Sequence, residues 1–129
     1  MFSDPWPAAA FRDLLGALAI VVAGPADQVV GYLFAHHAAD EGEILNLAVH
    51  PAHARRGLGT ELVRTTFADL EAAGVTRVFL EVRESNRAAQ AFYQGIGFRP
   101  VSRRAGYYRS PREDALVFVY EISGFQRPA

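Results

Sequence analysis

At 129 residues, half of them hydrophobic and 12% aromatic, the chain can bury one core but not two, so a single ordered domain over 1–129 is expected. A formal charge of −1 argues against a general nucleic-acid or membrane-surface binder, and no apolar run approaches the roughly 18 residues that span a bilayer. The absence of cysteine removes disulfides, thiolate metal sites and a cysteine nucleophile; with no basic leader in Met1-Phe2-Ser3-Asp4-Pro5, a soluble cytoplasmic protein is the expectation.

In chain order, Pro7 to Gly16 predicts a short helix, with proline near its first turn and glycine as its stop. Leu18 to Ala23 and Val29 to His37 predict two strands joined by the turn residues Gly24-Pro25-Ala26-Asp27. Asp40-Glu41-Gly42 is a second turn, and Glu43 to His50 a third strand. From Gly59 to Ala73 the apolar positions Leu62, Val63, Phe67, Leu70 and Ala73 keep a helical period that ends at Gly74. Val75 to Val82 is a mostly apolar strand, Asn86 to Gly95 a shorter helix, and Phe98 to Arg104 and Ala115 to Ile122 the last two strands. The order αβββαβαββ is that of an α+β or mixed α/β layer fold, with no internal repeat and no linker.

Arg55-Arg56-Gly57-Leu58-Gly59-Thr60 stands where the third strand gives way to the long helix. A helix start with two glycines suits a pyrophosphate, because the backbone can approach the anion and the first-turn N–H groups point at it. Further on come Phe79-Leu80-Glu81-Val82-Arg83-Glu84-Ser85-Asn86 and Ala91-Phe92-Tyr93-Gln94-Gly95-Ile96-Gly97-Phe98. These three blocks, in this order and spacing, resemble the GNAT family of acetyl-CoA-dependent N-acetyltransferases, in particular its ribosomal-protein-alanine type. The resemblance implies the GNAT acyl-CoA N-acyltransferase fold, a central mixed twisted sheet flanked by helices. It covers nearly the whole chain but lacks the family's usual N-terminal strand and helix. That leaves the Leu18 to Ala23 strand with a potentially open edge, to be covered by a dimer partner or by residues preceding this start.

The resemblance also implies site residues. Backbone N–H groups of Arg55, Arg56, Gly57, Leu58, Gly59 and Thr60 would take the CoA pyrophosphate, and the strand Leu47-Ala48-Val49, splayed at a bulge, would pair with pantetheine and polarise the thioester. Asn86 matches an asparagine that bonds the pantetheine arm; as a residue, it suits a helix N-cap equally well. Glu81 is costly to bury unpaired, so it either pairs with an arginine such as Arg83 or Arg104 or faces a cleft, and it matches the family's general base. Tyr93, an aromatic whose default is core packing, matches the tyrosine that protonates the departing thiolate.

Acceptor choice follows from the same comparison. A protein α-amine, with a pKa of about 7.7–8.0, is roughly one-tenth free base at pH 7, whereas lysine is almost wholly protonated. Gly106-Tyr107-Tyr108-Arg109 and Arg112-Glu113-Asp114-Ala115 resemble the signature of protein N-terminal acetyltransferases, with Tyr107 and Tyr108 as one wall of a peptide groove and Phe2 and Trp6 as the other. The tyrosines fit an ordinary edge strand as well. The expected activity is acetyl transfer to a protein N-terminus, with a ribosomal protein as the implied acceptor, by a monomer or homodimer without direct nucleic-acid or membrane contact. A small-molecule amine, a lysine, or a non-catalytic acyl-CoA-binding role are the alternatives.

Two residue groups stay open. Arg99, Arg103, Arg104, Arg109 and Arg112 crowd the last third, either as a solvated strand edge or as a surface that steers an anionic partner. His36, His37, His50 and His53 form no recognised metal motif and are expected to serve turns and surface, so no metal is expected.

Overall fold

A computed structural model of the chain describes residues 18–23, 28–53 and 57–122. Six strands form one sheet: β1 (Leu18–Ala23), β2 (Val29–Ala38), β3 (Glu41–Val49), β4 (Arg77–Arg83), β5 (Arg99–Arg109) and β6 (Arg112–Glu121). Two helices, α1 (Leu58–Ala72) and α2 (Arg87–Ile96), accompany them, with a short 3₁₀ turn at Pro51–His53. Neither is long and apolar enough to cross a membrane. The helix expected over Pro7–Gly16 and the turn Gly24–Asp27 lie outside the described residues.

The sheet order is β1-β2-β3-β4-β6-β5. Only β3 and β4 run parallel, and α1 supplies the crossover such a pair requires. Along β4, Val78, Leu80 and Val82 point into the core, which places Phe79, Glu81 and Arg83 on the opposite face. The strand was expected to be mostly apolar and buried; it is buried on one face only. Helix α1 buries Leu62, Val63, Thr66 and Leu70 at helical spacing, and the three aliphatic ones cluster with Leu33, Ile44, Val78, Leu80 and Phe118. Each fully buried aliphatic side chain is worth about 1.5–3 kcal/mol. Thr66 is the polar exception, and its hydroxyl donates to the Leu62 carbonyl at 2.8 Å. A second buried cluster, Val29, Tyr32, Phe34 and Ala48, lies apart from this core.

The boundaries that matter for the site differ from expectation around β3, β5 and β6. The turn before β3 is Ala39-Asp40, and Gly42, expected in that turn, lies in the strand opposite His37. β5 runs past Gly106 to Arg109, where a strand end at Arg104 was expected. β6 correspondingly begins at Arg112 rather than Ala115. The pair stays together because a bulge between Arg104 and Tyr108 absorbs Gly106, whose φ is +60°.

The feature that shapes the site is in β3. Phe34 of β2 pairs with Asn46 and Ala35 with Ile44, so Leu45 is left without a partner on β2. The extra residue reverses the strand's alternation. Ile44 packs in the helix-side core before it, Leu47 and Val49 pack there after it, and Ala48 joins the other cluster. Parallel pairing with β4 stops at Glu43 and Phe79. From there the two strands diverge, and the backbone of β3 past Glu43 has no ladder on that side. The resemblance implied a splayed strand over Leu47–Val49; the bulge itself lies just ahead of it, at Leu45.

Candidate active site

The start of α1 forms one end of the site. Gly57 caps the helix at φ +80°, a left-handed conformation that favours glycine. Among the described residues no side chain caps this end, and the Glu61 N–H reaches back to the Gly57 carbonyl at 3.0 Å. Among the described residues the N–H groups of Leu58, Gly59 and Thr60 have no helical partners. Gly59 serves a different purpose: a Cβ there would stand 3.2 Å from Phe92 Cζ, so its bare backbone lets α1 close on α2. A groove of about 560 Å³ runs from Gly57–Thr60 between Leu47–Val49 and the α2 residues Ala88, Ala89, Phe92 and Tyr93. Arg55 and Arg56 lie outside the described residues.

The groove shares Leu47, Asn86, Ala89 and Tyr93 with a second cleft of about 290 Å³, which opens where β3 and β4 part. Asn86 is the N-cap of α2, its Oδ1 accepting from the Ala89 N–H at 3.1 Å. Among the described residues nothing occupies its Nδ2, so both uses expected of this residue are geometrically open. Tyr93 is buried among Phe92 and Phe98, whose rings meet it edge-on at 5.0 and 5.5 Å. Burial pushes its hydroxyl pKa up to about 12, so it is a proton donor across the physiological range.

Glu81 lies where the second cleft meets a third opening of about 410 Å³, which is lined by His36, Glu43, Phe79 and Arg104. Its side chain is 15% exposed, and Arg104 Nε donates to it at 2.8 Å. Both geometries expected of this acid are thus realised together: it is paired and it faces a cleft. Arg83, the other candidate partner, bonds Glu113 at 3.1 Å instead. Tyr107 also hydrogen-bonds Glu81; the carboxylate raises the phenol's pKa, and the Arg104 guanidinium lies 5.4 Å from its ring. Tyr108 lies edge-on to Tyr107 at 5.1 Å and takes the Arg83 guanidinium over its ring at 4.2 Å. The tyrosine pair, open to an edge-strand reading in the sequence, is brought to Glu81.

The Glu113-Asp114 pair acts as the support for this arrangement, a role the sequence did not disclose. Asp114 accepts from the Gly106 N–H at 2.8 Å and from Arg103 at 2.9 Å, which fixes the bulge that presents Tyr107. Those contacts, the Gly106 N–H first, hold its carboxyl below the usual carboxylate range. Glu113 accepts from the Ser85 N–H and from Arg83, tying β6 to the turn before α2. Phe92 packs at the core's margin and also walls the groove.

Of the five crowded arginines, Arg99, Arg103 and Arg104 are each paired with a carboxylate. His36 bonds Glu43 at 2.8 Å, and His50 accepts from the Ala52 N–H at 3.1 Å. No group of three or more metal-ligating side chains occurs among the described residues. Phe2 and Trp6, the expected far wall of a peptide groove, lie outside the described residues.

Comparison with known proteins bears on this geometry. The sequence pattern of the Acetyltransferase (GNAT) family matches residues 1–98. The [ribosomal protein bS18]-alanine N-acetyltransferase of Escherichia coli K12 is 42% identical over 86 residues, 65% of this chain and 58% of that protein. This match therefore spans less than two thirds of the relative's length. The protein of the same name from Salmonella typhimurium is 37% identical over 99 residues, 75% of this chain and 67% of that protein. In structure, the crystallised ribosomal-protein-S18-alanine N-acetyltransferase from E. coli superposes with a TM-score of 0.76 at 33% identity, covering 92% of this chain and 78% of that one. The fold of that E. coli enzyme is the fold described here, and the chain belongs to the acetyltransferase (GNAT) family.

Proposed function

We propose that the chain transfers the acetyl group of acetyl-CoA to the α-amine of a protein N-terminus, and that the acceptor is the N-terminal alanine of a small-subunit ribosomal protein. The observation that carries the reading is continuity: the cleft lined by both Glu81 and Tyr93 opens into a groove headed by an uncapped helix start. The names of the relatives point to the acceptor.

The chain's residues fit the two substrates as follows. The N–H groups of Leu58, Gly59 and Thr60, with Gly57 at the cap and Arg55 and Arg56 just before it, take the diphosphate of CoA at the positive end of α1. The backbone of Leu47, Ala48 and Val49, unladdered on the β4 side, pairs with the pantetheine amides, and one of its N–H groups polarises the thioester carbonyl. Asn86 donates its Nδ2 to the same arm while Oδ1 keeps the helix cap. Acetyl-CoA supplies an acyl carbon activated by a good leaving group.

Glu81 accepts the proton of the attacking amine, directly or through one water, as the N–C bond forms. Tyr93 gives its proton to the sulfur as the C–S bond breaks. A thiol with a pKa near about 8.5 is a good enough leaving group that this donation assists rather than decides. Trp6, Tyr107 and Tyr108 wall the acceptor peptide.

The test is mass spectrometry of peptides incubated with acetyl-CoA and the chain. The acceptors are an Ala-starting ribosomal N-terminal peptide, its N-terminally blocked lysine-containing twin, and a polyamine mixture. One acetyl gained by the free Ala peptide alone is the expected result. Product only on lysine or polyamine would replace the acceptor, and CoA binding without any product would replace the activity.

A further inference from the structure

Leu45 has no part in the roles above. It is a large apolar side chain on an inner strand, and 52% of it is exposed. Single exposed leucines are ordinary on protein surfaces. This one differs in where it stands. The bulge frees it from β2, and it lies two residues past the last β3–β4 pair. Glu81 lies two residues past the same pair on β4, so the two residues flank the mouth of the opening. Leu45 lines the cleft of Glu81, Tyr93 and Tyr108 but not the groove at the start of α1.

Resting on the acetyl-transfer reading above, we propose that Leu45 is a specificity-determining residue: it is the wall against which the acceptor's first side chain packs, and it restricts acceptors to N-termini with a small first residue. The amine must come within hydrogen-bond reach of Glu81, directly or through a water. The side chain on the adjoining α-carbon then lies in a cleft of about 290 Å³ that the thioester end must also enter. Ile44 and Leu80, which line the same cleft, are fixed in the core and cannot yield. Leu45 is not packed there, so shortening it enlarges the cleft without opening a hole in the core. Selection by such a wall is steric, and one methylene more or less in an apolar pocket is worth about 10–200-fold.

The experiment compares kcat/KM for two peptides that differ only in beginning with Ala or with Leu, using the unaltered chain, Leu45→Ala and Leu45→Phe. The unaltered chain is expected to favour Ala by about tenfold or more. Leu45→Ala narrows that ratio by raising turnover of the Leu peptide, with the thermal midpoint and the KM for acetyl-CoA unchanged. Leu45→Phe lowers turnover of the Ala peptide. A ratio that neither substitution moves overturns the assignment. So does a Leu45→Ala variant whose preference shifts between acetyl-CoA and propionyl-CoA instead, because the wall then faces the acyl group. If the unaltered chain acetylates neither peptide, the acetyl-transfer reading fails together with it, a result distinct from an unmoved ratio.

Discussion

Arg104 donates its Nε to Glu81 across 2.8 Å, and the two partners differ in what surrounds them: the arginine side chain is 59% exposed, the carboxylate 15%. The guanidinium can leave for water at little cost, whereas the carboxylate is held by its strand and faces the cleft. An arriving ammonium can therefore take the arginine's place at Glu81. Removing the carboxylate should cost rate more than stability. Glu81→Gln is expected to lower kcat/KM by about 10²-fold or more. Its amide still accepts from Arg104, so the thermal midpoint should hold. The pH–rate profile is the diagnostic: an unchanged profile in Glu81→Gln would remove Glu81 from the base role.

Tyr93 titrates far from neutrality, with a pKa of about 12 caused by burial. It stays protonated through the working range, so activity should show no alkaline loss traceable to this group below about pH 10. Tyr93→Phe keeps the ring against Phe92 and Phe98 and removes only the hydroxyl, and turnover should slow without stopping. The linkage to stability has a definite sign. The folded-state pKa lies above the unfolded value of 10.0, so the unfolded chain gives up its proton first as pH rises. The folded state keeps its full stability below pH 10 and loses on the order of 2–3 kcal/mol by pH 12. In alkaline thermal melts Tyr93→Phe should lose less than the unaltered chain; equal losses would contradict the assigned burial.

Asp114 touches neither proposed substrate, yet it holds the Gly106 N–H and Arg103. Asp114→Ala frees the bulge that presents Tyr107, so KM for an acceptor peptide should rise several-fold while CoA binding, measured by calorimetry, stays the same. Because the folded-state pKa is depressed, the hold is complete above the ordinary aspartate pKa and is lost as pH falls through the folded value. Peptide KM should accordingly rise more steeply at the acid end in the unaltered chain than in the variant. A parallel loss of CoA affinity would show that Asp114 supports the whole sheet rather than the tyrosine loop.

Helix α1 was readable because the spacing of Leu62, Val63, Phe67 and Leu70 is a local property of the chain. The glycine pair at the start of α1 was readable because the positive φ of Gly57 and the approach of Gly59 to Phe92 both select glycine. The bulge at Leu45 had no such local mark. Ile44-Leu45-Asn46-Leu47 looks like any strand, and the extra residue exists only relative to the register of β2. Gly106 misled for a related reason: it looks like a strand end until Asp114, eight residues on, captures its N–H. The alternation of β4 put Glu81 and Arg83 on one face, but the choice of Arg104 as the acid's partner depends on β5, two strands away in the sheet. Trp6, Arg55 and Arg56 fall outside the described residues.

The proposed function gives Asn86 two separable roles on two atoms of one amide. Oδ1 caps α2 through the Ala89 N–H at 3.1 Å, and the residue lines the groove with its Nδ2 in no hydrogen bond among the described residues. Asn86→Asp keeps an acceptor at the cap and adds a charge that suits a helix N-terminus, so the thermal midpoint should hold or rise. The same change removes the donor and sets a carboxylate beside the pantetheine path. Affinity for CoA should therefore fall by about tenfold, the loss of roughly one hydrogen bond. Asn86→Ala should lose both properties, with about 1 kcal/mol of stability gone with the cap. The two variants together separate the roles: if Asn86→Asp binds CoA as the unaltered chain does, the residue is a cap alone, and the pantetheine arm must be held by the β3 backbone without it.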